Sequence, residues 1–546
     1  MDGVATQREW ERVAAGDGSC ARLIAQARRA LGGFVPVLEH LGAQLVRLAD
    51  QDPEAEAELF GLLAADPALL LGLDRLARQG WTLTAPGDPD HRWFDQARDR
   101  FARCPAPAGP AVAALASLNA DGRVRERAVA AMTELPTFAD HAYAYMPFLV
   151  LRTTDWVTPV RDRARASLVL VLDRWPDLLF QAATTALRLV GRGRSAFALG
   201  QVRAALANAP DEVFTGFLKS ADPRLRRLAA AVPARIEAVD LALGAAFETD
   251  RAARLLFAEA AARDTVWTGR YFHIDIQFAS RWPDSRVLAV TALIRAGLVM
   301  QAADHLADPS QEVRAAARNA ARRSGIDAMK RYRELAAAPT VEPAALYGLA
   351  ETAGRDPDGE GEVRGLIEPH LSDPRPRVRI AAVAALGMLG ASDTDRLLSM
   401  LLDPVSRVVR AAAHRLGPDA SRLDPGPLLA LVADPDRTAS ARKAVYTLIC
   451  KHGATARLGA MLTAVAGEDR ELAERASVHL HRTNVISILS KPPAVQASPH
   501  YANCLSEYKV DRTAVPDLPE RFAAVRPRLD PRVAAAFDAL FELKWR

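Results

Sequence analysis

Two stretches of the chain, LADPSQEVRAAARNAARRSG (306–325) and LSDPRPRVRIAAVAALGMLG (371–390), decide the fold. In each, an Asp-Pro dipeptide is followed by Val five residues after the Asp, by Arg six residues after it, and then by an alanine-rich run. An Asp side chain accepts hydrogen bonds from the free N–H groups at the start of a helix, and Pro is tolerated in the first helical turn. Each stretch therefore predicts a turn that leads directly into a helix.

The same turn-and-helix pattern recurs along the chain. Asp155 is followed by Arg161 at the same spacing, and Asp403 is followed by Arg410 one place later. Degenerate copies begin at Asn119, Ser220 and Asp434. Adjoining copies begin 30, 31 or 36 residues apart. A period of this length holds two helices of about 11–12 residues and two short turns, which is the size of one helical hairpin.

The apolar residues of the second stretch lie on one helical face. Val378, Ala382, Leu386 and Leu389 follow one another at steps of four, four and three residues, which is the spacing of an amphipathic helix. A single hairpin cannot bury such a face, whereas a neighbouring hairpin stacked on it can. The sequence therefore predicts an all-α solenoid of stacked helical hairpins.

At these residues the sequence resembles the HEAT-repeat family, including the bacterial HEAT-like repeats found beside phycobilin lyases. The resemblance implies a ladder of bonds between adjacent repeats, formed by the Asp of one turn and the Arg that opens a second helix. Carried over, it pairs Asp308 or Asp373 with an arginine of a neighbouring repeat, such as Arg314 or Arg379. The ladder residues that it implies are Asp155, Arg161, Asp308, Arg314, Asp373, Arg379 and Asp403.

Breaks in composition suggest how the chain is organised. Pro- and Gly-rich segments occur at APGDPD (85–90), CPAPAGP (104–110) and KPPAVQASP (491–499), and such segments separate helical regions. The ends of a solenoid are expected to be atypical, because they must cover an open apolar face. We therefore predict an N-terminal helical capping region (1–110), a HEAT-like repeat array (111–484) and a C-terminal helical cap or tail (485–546).

The overall composition narrows the class of protein. Of 546 residues, 50% are hydrophobic, 25% are charged and 108 are Ala, while the formal net charge is only +4. This balance implies neither a nucleic-acid nor a membrane partner by itself. The four cysteines are far apart, no signal-peptide pattern opens the chain, and no apolar run is long enough to cross a membrane. We expect a cytoplasmic bacterial protein that does not insert into membranes.

The sequence contains no strong catalytic or metal-binding motif. A phosphate-binding loop, the HExxH zinc motif and a strand-borne GxGxxG are all missing from it. His479 and His481 are two residues apart, so on a helix they point to opposite sides and do not converge on one ion. We therefore predict no catalytic residues, no metal and no cofactor, and we favour a protein that is not an enzyme.

Two arginine-rich segments are the candidate binding residues. One contains Arg188, Arg192 and Arg194 in a stretch without acidic residues, and the other contains Arg318 and Arg322 on one helical stripe. Arginine is suited to phosphates and carboxylates. The alternative is that these arginines form a solvated face without a ligand. Only 7 of the 70 cationic residues are Lys, and a GC-rich genome, which favours Arg codons, would also explain the abundance of arginine.

The leading hypothesis is an interaction scaffold that binds a protein or peptide along the concave surface of the solenoid, with no small-molecule substrate. The alternative is a nucleic-acid-binding protein, since one family of bacterial DNA-repair glycosylases is built from HEAT-like repeats with Trp and Asp in a basic cleft. Asp155 adjoins Trp156, and Trp175, Trp267 and Trp282 also lie within the predicted repeat array. This analogy depends on the fold alone.

Overall fold

A computed structural model of the chain describes residues 20–30, 35–79, 93–103, 110–353, 360–389, 394–482 and 513–544. Within these ranges every regular element is a helix. The chain divides into two compact units, unit 1 (1–281) and unit 2 (282–546). Much of the sequence on which the predicted domain boundaries depend, 85–90, 104–109 and 491–499, lies outside the described residues, so the division at 110 and 484 stays a prediction.

Unit 1 consists of helices that pack mainly against their neighbours in the sequence. Its α-helices are α1 (Cys20–Ala30), α2 (Val35–Gln51), α3 (Pro53–Ala64), α4 (Pro67–Gln79), α5 (Trp93–Arg103), α6 (Pro110–Ala116), α7 (Gly122–Met132), α8 (Leu135–Arg152), α9 (Thr158–Arg174), α10 (Leu179–Arg188), α11 (Ala196–Asn208), α12 (Asp211–Leu218), α13 (Pro223–Ala230), α14 (Ala238–Phe247), α15 (Arg251–Thr268) and α16 (Phe272–Phe278).

Unit 2 follows the same plan, and several of its first helices end in a 3₁₀ turn. Its α-helices are α17 (Pro283–Arg295), α18 (Val299–Ala303), α19 (Gln311–Arg323), α20 (Ala328–Ala337), α21 (Pro343–Ala353), α22 (Glu360–Ile367), α23 (Pro376–Met388), α24 (Thr394–Ser399), α25 (Ser406–Leu416), α26 (Pro425–Ala433), α27 (Ala439–Ile449), α28 (Ala454–Ala466), α29 (Arg470–Arg482), α30 (Leu518–Val525) and α31 (Pro531–Lys544).

Several Asp-Pro dipeptides open helices as predicted, whereas Asp308, Asp373 and Asp403 of the repeat pattern lie three residues before α19, α23 and α25 begin. The side chains of Asp52, Asp222 and Asp424 each accept a hydrogen bond from a backbone N–H group in the first turn of α3, α13 and α26, and each precedes a Pro at the first helical position. These carboxylates satisfy N–H groups that have no partner inside the helix. The Asp-Pro dipeptides therefore set where these helices begin.

The second helix of each hairpin, such as α21, α23, α25 or α27, stacks on the second helices of the neighbouring hairpins through small and branched apolar side chains. Val378, Ala382 and Leu386 of α23 and Leu389, which follows its last residue, are all less than 10% exposed, which confirms the predicted apolar face. Helix α23 packs against α21 on one side and α25 on the other, and α25 packs in turn against α27. The all-α solenoid of stacked hairpins is confirmed within each unit.

The helices before residue 110 are packed into unit 1. Helix α3 lies against α8, and α2 lies against α5 and α6. The contact is apolar and aromatic: Phe60 of α3 packs against Tyr145 and Phe148 of α8, with ring centroids 6.0 and 5.7 Å apart. None of the helices among the described residues is long and apolar enough to cross a membrane.

Candidate functional site

Arginines at the start of second helices join successive repeats through ion pairs. The hydrogen bonds of Arg379 are typical of these arginines. Its Nη1 donates to the carbonyl oxygen of Asp373 (2.8 Å), six residues earlier, while its Nε and Nη2 donate to the two carboxylate oxygens of Asp403 (2.7 and 2.9 Å). Asp403 Oδ1 also accepts a hydrogen bond from the N–H group of Val405 (2.8 Å). The spacing of six places the guanidinium over its own turn, so that each pair holds two consecutive turns together.

Ion pairs of this kind recur in both units among the described residues. In unit 1 they are Arg125–Asp155 and Arg226–Glu248, and in unit 2 they are Arg286–Asp308, Arg314–Glu351, Arg379–Asp403 and Arg442–Asp469. In each case the Arg belongs to the earlier repeat and the carboxylate to the later one. The side chains of these pairs are at most 18% exposed, so solvent screens the ion pairs only weakly.

Of the implied ladder residues, Asp308 and Arg379 pair with a neighbouring repeat, whereas Arg314 pairs with a Glu and Asp373 with its own turn. Asp308 binds Arg286 of the preceding repeat, and Arg314 binds Glu351. Asp373 binds Arg375 of its own turn, and α21, the preceding second helix, contains no arginine that could reach it. The expected pairing of Asp373 with an arginine of another repeat is therefore not found among the described residues.

Arg161 lacks a carboxylate partner in the next repeat. Its Nη1 donates to the carbonyl oxygen of Asp155 (3.1 Å), six residues earlier, as in the other ladder positions. The only carboxylate near it among the described residues is that of its neighbour Asp162 (3.6 Å). The following turn, 189–195, contains no acidic residue. The ladder is therefore interrupted at this repeat.

Replacing Arg379 by Gln is expected to lower the free energy of unfolding of unit 2 by about 1–3 kcal/mol, because the Asp403 carboxylate loses both charged hydrogen bonds. Urea unfolding followed by circular dichroism measures this change. Arg377→Gln is the matched control, because Arg377 is exposed on the same helix and has no partner among the described residues. Equal effects of the two substitutions would show that the ladder pair adds nothing to stability.

A buried cluster of charges, here called the Asp74–Asp155 cluster, lies in unit 1. Its members come from α4, α7, α8 and the turns that precede α9 and α11. They are two aspartates and four arginines: Asp74, Asp155, Arg78, Arg125, Arg152 and Arg192. The side chains of both aspartates and of two of the arginines are 0–1% exposed. Buried charges of this kind are stable only when they are paired.

The carboxylates of this cluster are held in their charged form. Burial would raise the pKa of Asp74, but the charges of Arg152 and Arg78 and the hydrogen bonds from Arg152 and Arg192 lower it to about 2. The pKa of Asp155 is lowered too, because bonds from Arg125 and Arg152 outweigh its burial. Burial is the main cause that lowers the pKa of Arg78; the charges of Arg152 and Arg125 lower it further, and those of Asp74 and Asp155 oppose the change.

The predicted partner-binding arginines occupy two different kinds of environment. Arg192 donates from Nη1 to Asp74 Oδ2 (3.0 Å), and Arg318 donates from Nη1 to Glu351 Oε2 (2.6 Å), so both are engaged inside the fold. Arg188, Arg194 and Arg322 are exposed and have no side-chain partner among the described residues. The predicted stripe on α19 therefore presents only Arg322 to solvent, because Arg314 and Arg318 converge on one carboxylate.

The second helices α25, α27 and α29 border a groove in unit 2, here called the basic groove. It encloses about 720 Å³. Its floor contains Ala413, Leu448 and Leu472, which are at most 6% exposed. Its polar lining residues are Arg410, His414, Ser440, Lys443, Thr447, Lys451, Asp469, Glu471 and Arg475. No sequence motif predicts this groove, although Arg410, which comes one place late in the repeat pattern, lies in its lining.

The groove has a surplus of positive charge. Its two acidic residues are already paired, Asp469 with Arg442 (3.3 Å) and Glu471 with Lys443 (2.5 Å). Three further cations, Arg410, Lys451 and Arg475, are exposed and form no ion pair in the described part of the chain. Because they surround an apolar floor, the groove offers both charge and hydrophobic contact to a ligand.

The tryptophan and carboxylate suggested for a glycosylase do not form a reactive pair. Asp155 is 1% exposed, and its carboxylate oxygens accept hydrogen bonds from Arg125, Arg152 and the N–H group of Val157. Such a carboxylate has no free lone pair directed at a water molecule or a base. The neighbouring Trp156 is 63% exposed. No group of metal-ligating side chains occurs within the residues that the structure describes.

Comparison with protein families supports the repeat architecture directly. Residues 329–417, which include α20 to α25, match the family model described as HEAT repeats. Residues 329–417 of unit 2 contain HEAT repeats. In unit 2 these HEAT repeats contribute α25, which borders the basic groove, and the Arg379–Asp403 ladder pair. No curated protein matches the sequence.

Comparison with solved structures finds distant similarities over most of this chain. A mutant of Kap121p has 14% identity, with 95% of this chain and 64% of that chain covered and a TM-score of 0.28. Importin beta has 13% identity, with 95% and 67% covered and a TM-score of 0.28. UNC-45 from Drosophila melanogaster has 12% identity, with 93% and 81% covered and a TM-score of 0.20. Scores of this size carry no conclusion about function.

Proposed function

We propose that this HEAT-repeat protein is a non-catalytic scaffold that binds an acidic segment of a partner protein in the basic groove of unit 2. The observation that carries the proposal is the set of three unpaired cations, Arg410, Lys451 and Arg475, around an apolar floor. Solenoids bind partners along surfaces formed by successive repeats. The expectation of a cytoplasmic protein belongs to this proposal as well.

The lining of the groove favours a peptide over a nucleic acid. Asp469 and Glu471 border the groove and occupy Arg442 and Lys443, so its free cations are three separate charges and not a continuous row. A peptide that alternates acidic and apolar side chains can place its carboxylates on Arg410 and Arg475 and its apolar groups on Leu448. Nucleic-acid binding sites rely instead on continuous positive charge that contacts many phosphates.

The test measures binding of the full chain to a fluorescein-labelled peptide of alternating Glu and Leu residues. We expect Arg410→Glu together with Arg475→Glu to weaken binding at least tenfold, because two attractions become repulsions. The matched control is Arg322→Glu, which reverses an exposed charge in the same unit outside the groove and also tests a residue predicted from the sequence. Unchanged peptide binding by the double variant would overturn the proposal.

A second arm of this experiment addresses the nucleic-acid alternative. The same proteins are titrated with a single-stranded DNA 20-mer at several salt concentrations. Phosphate-led binding would weaken steeply and linearly with the logarithm of salt concentration. If the DNA binds more tightly than the peptide and shows this dependence, the protein-scaffold proposal fails.

A further inference from the structure

We infer that the Asp74–Asp155 cluster of unit 1 is a binding site for a phosphate group, at the side chains of Arg78 and Arg192. This site lies in a different unit from the basic groove and is independent of the proposed function. The cluster contains four arginines and two aspartates, so its formal charge is +2. Uncompensated charge in a buried position is costly, and a bound anion would remove this cost.

The two carboxylates have no capacity left to neutralise the arginines. Asp74 accepts hydrogen bonds from Arg152 and Arg78 on Oδ1 and from Arg192 on Oδ2. Asp155 accepts both nitrogens of the Arg125 fork (2.9 Å each) and Nη1 of Arg152 (3.0 Å). Both carboxylates are therefore fully occupied. The cluster has more N–H donors and more positive charge than its two carboxylates can satisfy.

The remaining donors are on the side of the cluster that solvent can reach. Arg78 and Arg192 are 33% and 34% exposed, whereas Arg125 and Arg152 are 1% and 0% exposed. Arg192 uses only Nη1 for Asp74, so its Nε and Nη2 have no acceptor among the described residues. The Nε of the fully buried Arg152 also lacks a partner there. An anion that bridges Arg78 and Arg192 would meet free N–H groups and the field of two buried cations.

The backbone holds Arg192 in place for such a contact. It lies between α10 and α11 in a tight turn in which Gly191 has φ +98° and Arg194 has φ +68°. The left-handed conformation is costly for a residue such as Arg, and strained backbone of this kind is found preferentially at functional sites. The N–H group of Arg192 donates to the carbonyl oxygen of Leu189 (2.9 Å), which closes the turn.

A phosphate group matches this site better than a monovalent anion. The planar fork of arginine donates two parallel hydrogen bonds to a phosphate, and two arginines can bind different oxygens of one group. At neutral pH a phosphate monoester carries about −1.5 to −2 charges, close to the +2 of the cluster. Chloride offers neither the second charge nor the directed acceptors.

The experiment is thermal unfolding of the full chain in inorganic phosphate, with sodium chloride at matched ionic strength as the reference. We expect 20 mM phosphate to raise the Tm of the unit 1 transition by about 2–4 °C relative to chloride. A parallel arm uses phosphoserine. An equal shift assigns the site to the phosphoryl group alone, and a larger shift assigns it to a phosphorylated side chain.

Two variants make the result specific. Arg192→Gln removes one proposed ligand at a residue that is one-third exposed, and the phosphate-dependent shift is expected to disappear. Arg203→Gln is the control, because Arg203 is exposed on α11 with no partner among the described residues, and its shift is expected to stay. An absence of any shift beyond chloride, or an unchanged shift in Arg192→Gln, would overturn the inference.

Discussion

Replacing Asp155 by Asn is expected to lower the free energy of unfolding of unit 1 by about 3–5 kcal/mol. The substitution removes the negative charge that Arg125 and Arg152 share, while both arginines stay 1% exposed or less. The neutral amide also cannot accept all of the hydrogen bonds that the carboxylate accepts. The change is measured by urea unfolding, with hydrogen exchange of residues 122–174 to locate it in α7 to α9.

Because the cluster contains more arginines than aspartates, we expect loss of an aspartate to destabilise unit 1 more than loss of an arginine. Arg152→Met removes one positive charge of four and leaves each aspartate with another arginine, so we expect it to destabilise the protein less than Asp155→Asn. The matched surface control is Glu126→Gln, which breaks an exposed pair with Arg163 and is expected to cost at most about 1 kcal/mol. A larger loss in Arg152→Met than in Asp155→Asn would contradict the charge balance described above.

Replacing Gly348 by Leu is expected to lower the free energy of unfolding of unit 2 by about 3 kcal/mol, at the upper end of the cost of overpacking a core. A Cβ atom at position 348 would overlap the buried ring of Tyr332. That ring cannot withdraw easily, because its hydroxyl donates to the carbonyl oxygen of Leu306 (3.0 Å). Glycine inside α21 costs helix stability relative to Ala, and the close approach of Tyr332 offsets that cost.

The control for this substitution is Gly365→Ala in α22. No atom lies within 4 Å of a Cβ built at Gly365, and the residue is exposed. We expect this change to leave stability unchanged or to raise it by up to about 1 kcal/mol. Thermal unfolding of both variants gives the comparison. A Gly348→Leu protein that unfolds within one degree of the parent would show that the α20–α21 contact adapts at no cost.

The repeating part of the fold could be predicted from local patterns. The step of six residues from Asp373 to Arg379 is a local geometric relation, because it places the guanidinium over its own turn. The sequence position of the carboxylate that accepts hydrogen bonds from Nε and Nη2 follows no such rule. Glu351 is 37 residues from Arg314 and lies within a helix, so no spacing in the sequence distinguishes it from a surface glutamate.

The candidate sites depended on tertiary structure for the same reason. Arg314, Arg318 and Arg322 follow one another at steps of four on α19 and suggested an exposed stripe, but Arg314 and Arg318 turn inward to Glu351 and leave Arg322 exposed. Asp74 and Arg152 are 78 residues apart, and only the packing of α4 against α8 brings them together. A signal was present for Arg125, which follows Asn119 by six residues in a degenerate repeat.

The amino-acid sequence by itself determined the helices, the turns at which they begin and the apolar faces by which they stack, because these depend on neighbours within one or two helical turns. Only the tertiary structure decided which charges meet. Ion pairs form between repeats, and which residues pair depends on the displacement of each hairpin relative to the preceding one. The same stacking left a surplus of positive charge in the Asp74–Asp155 cluster and in the basic groove, where we expect this protein to bind its ligands.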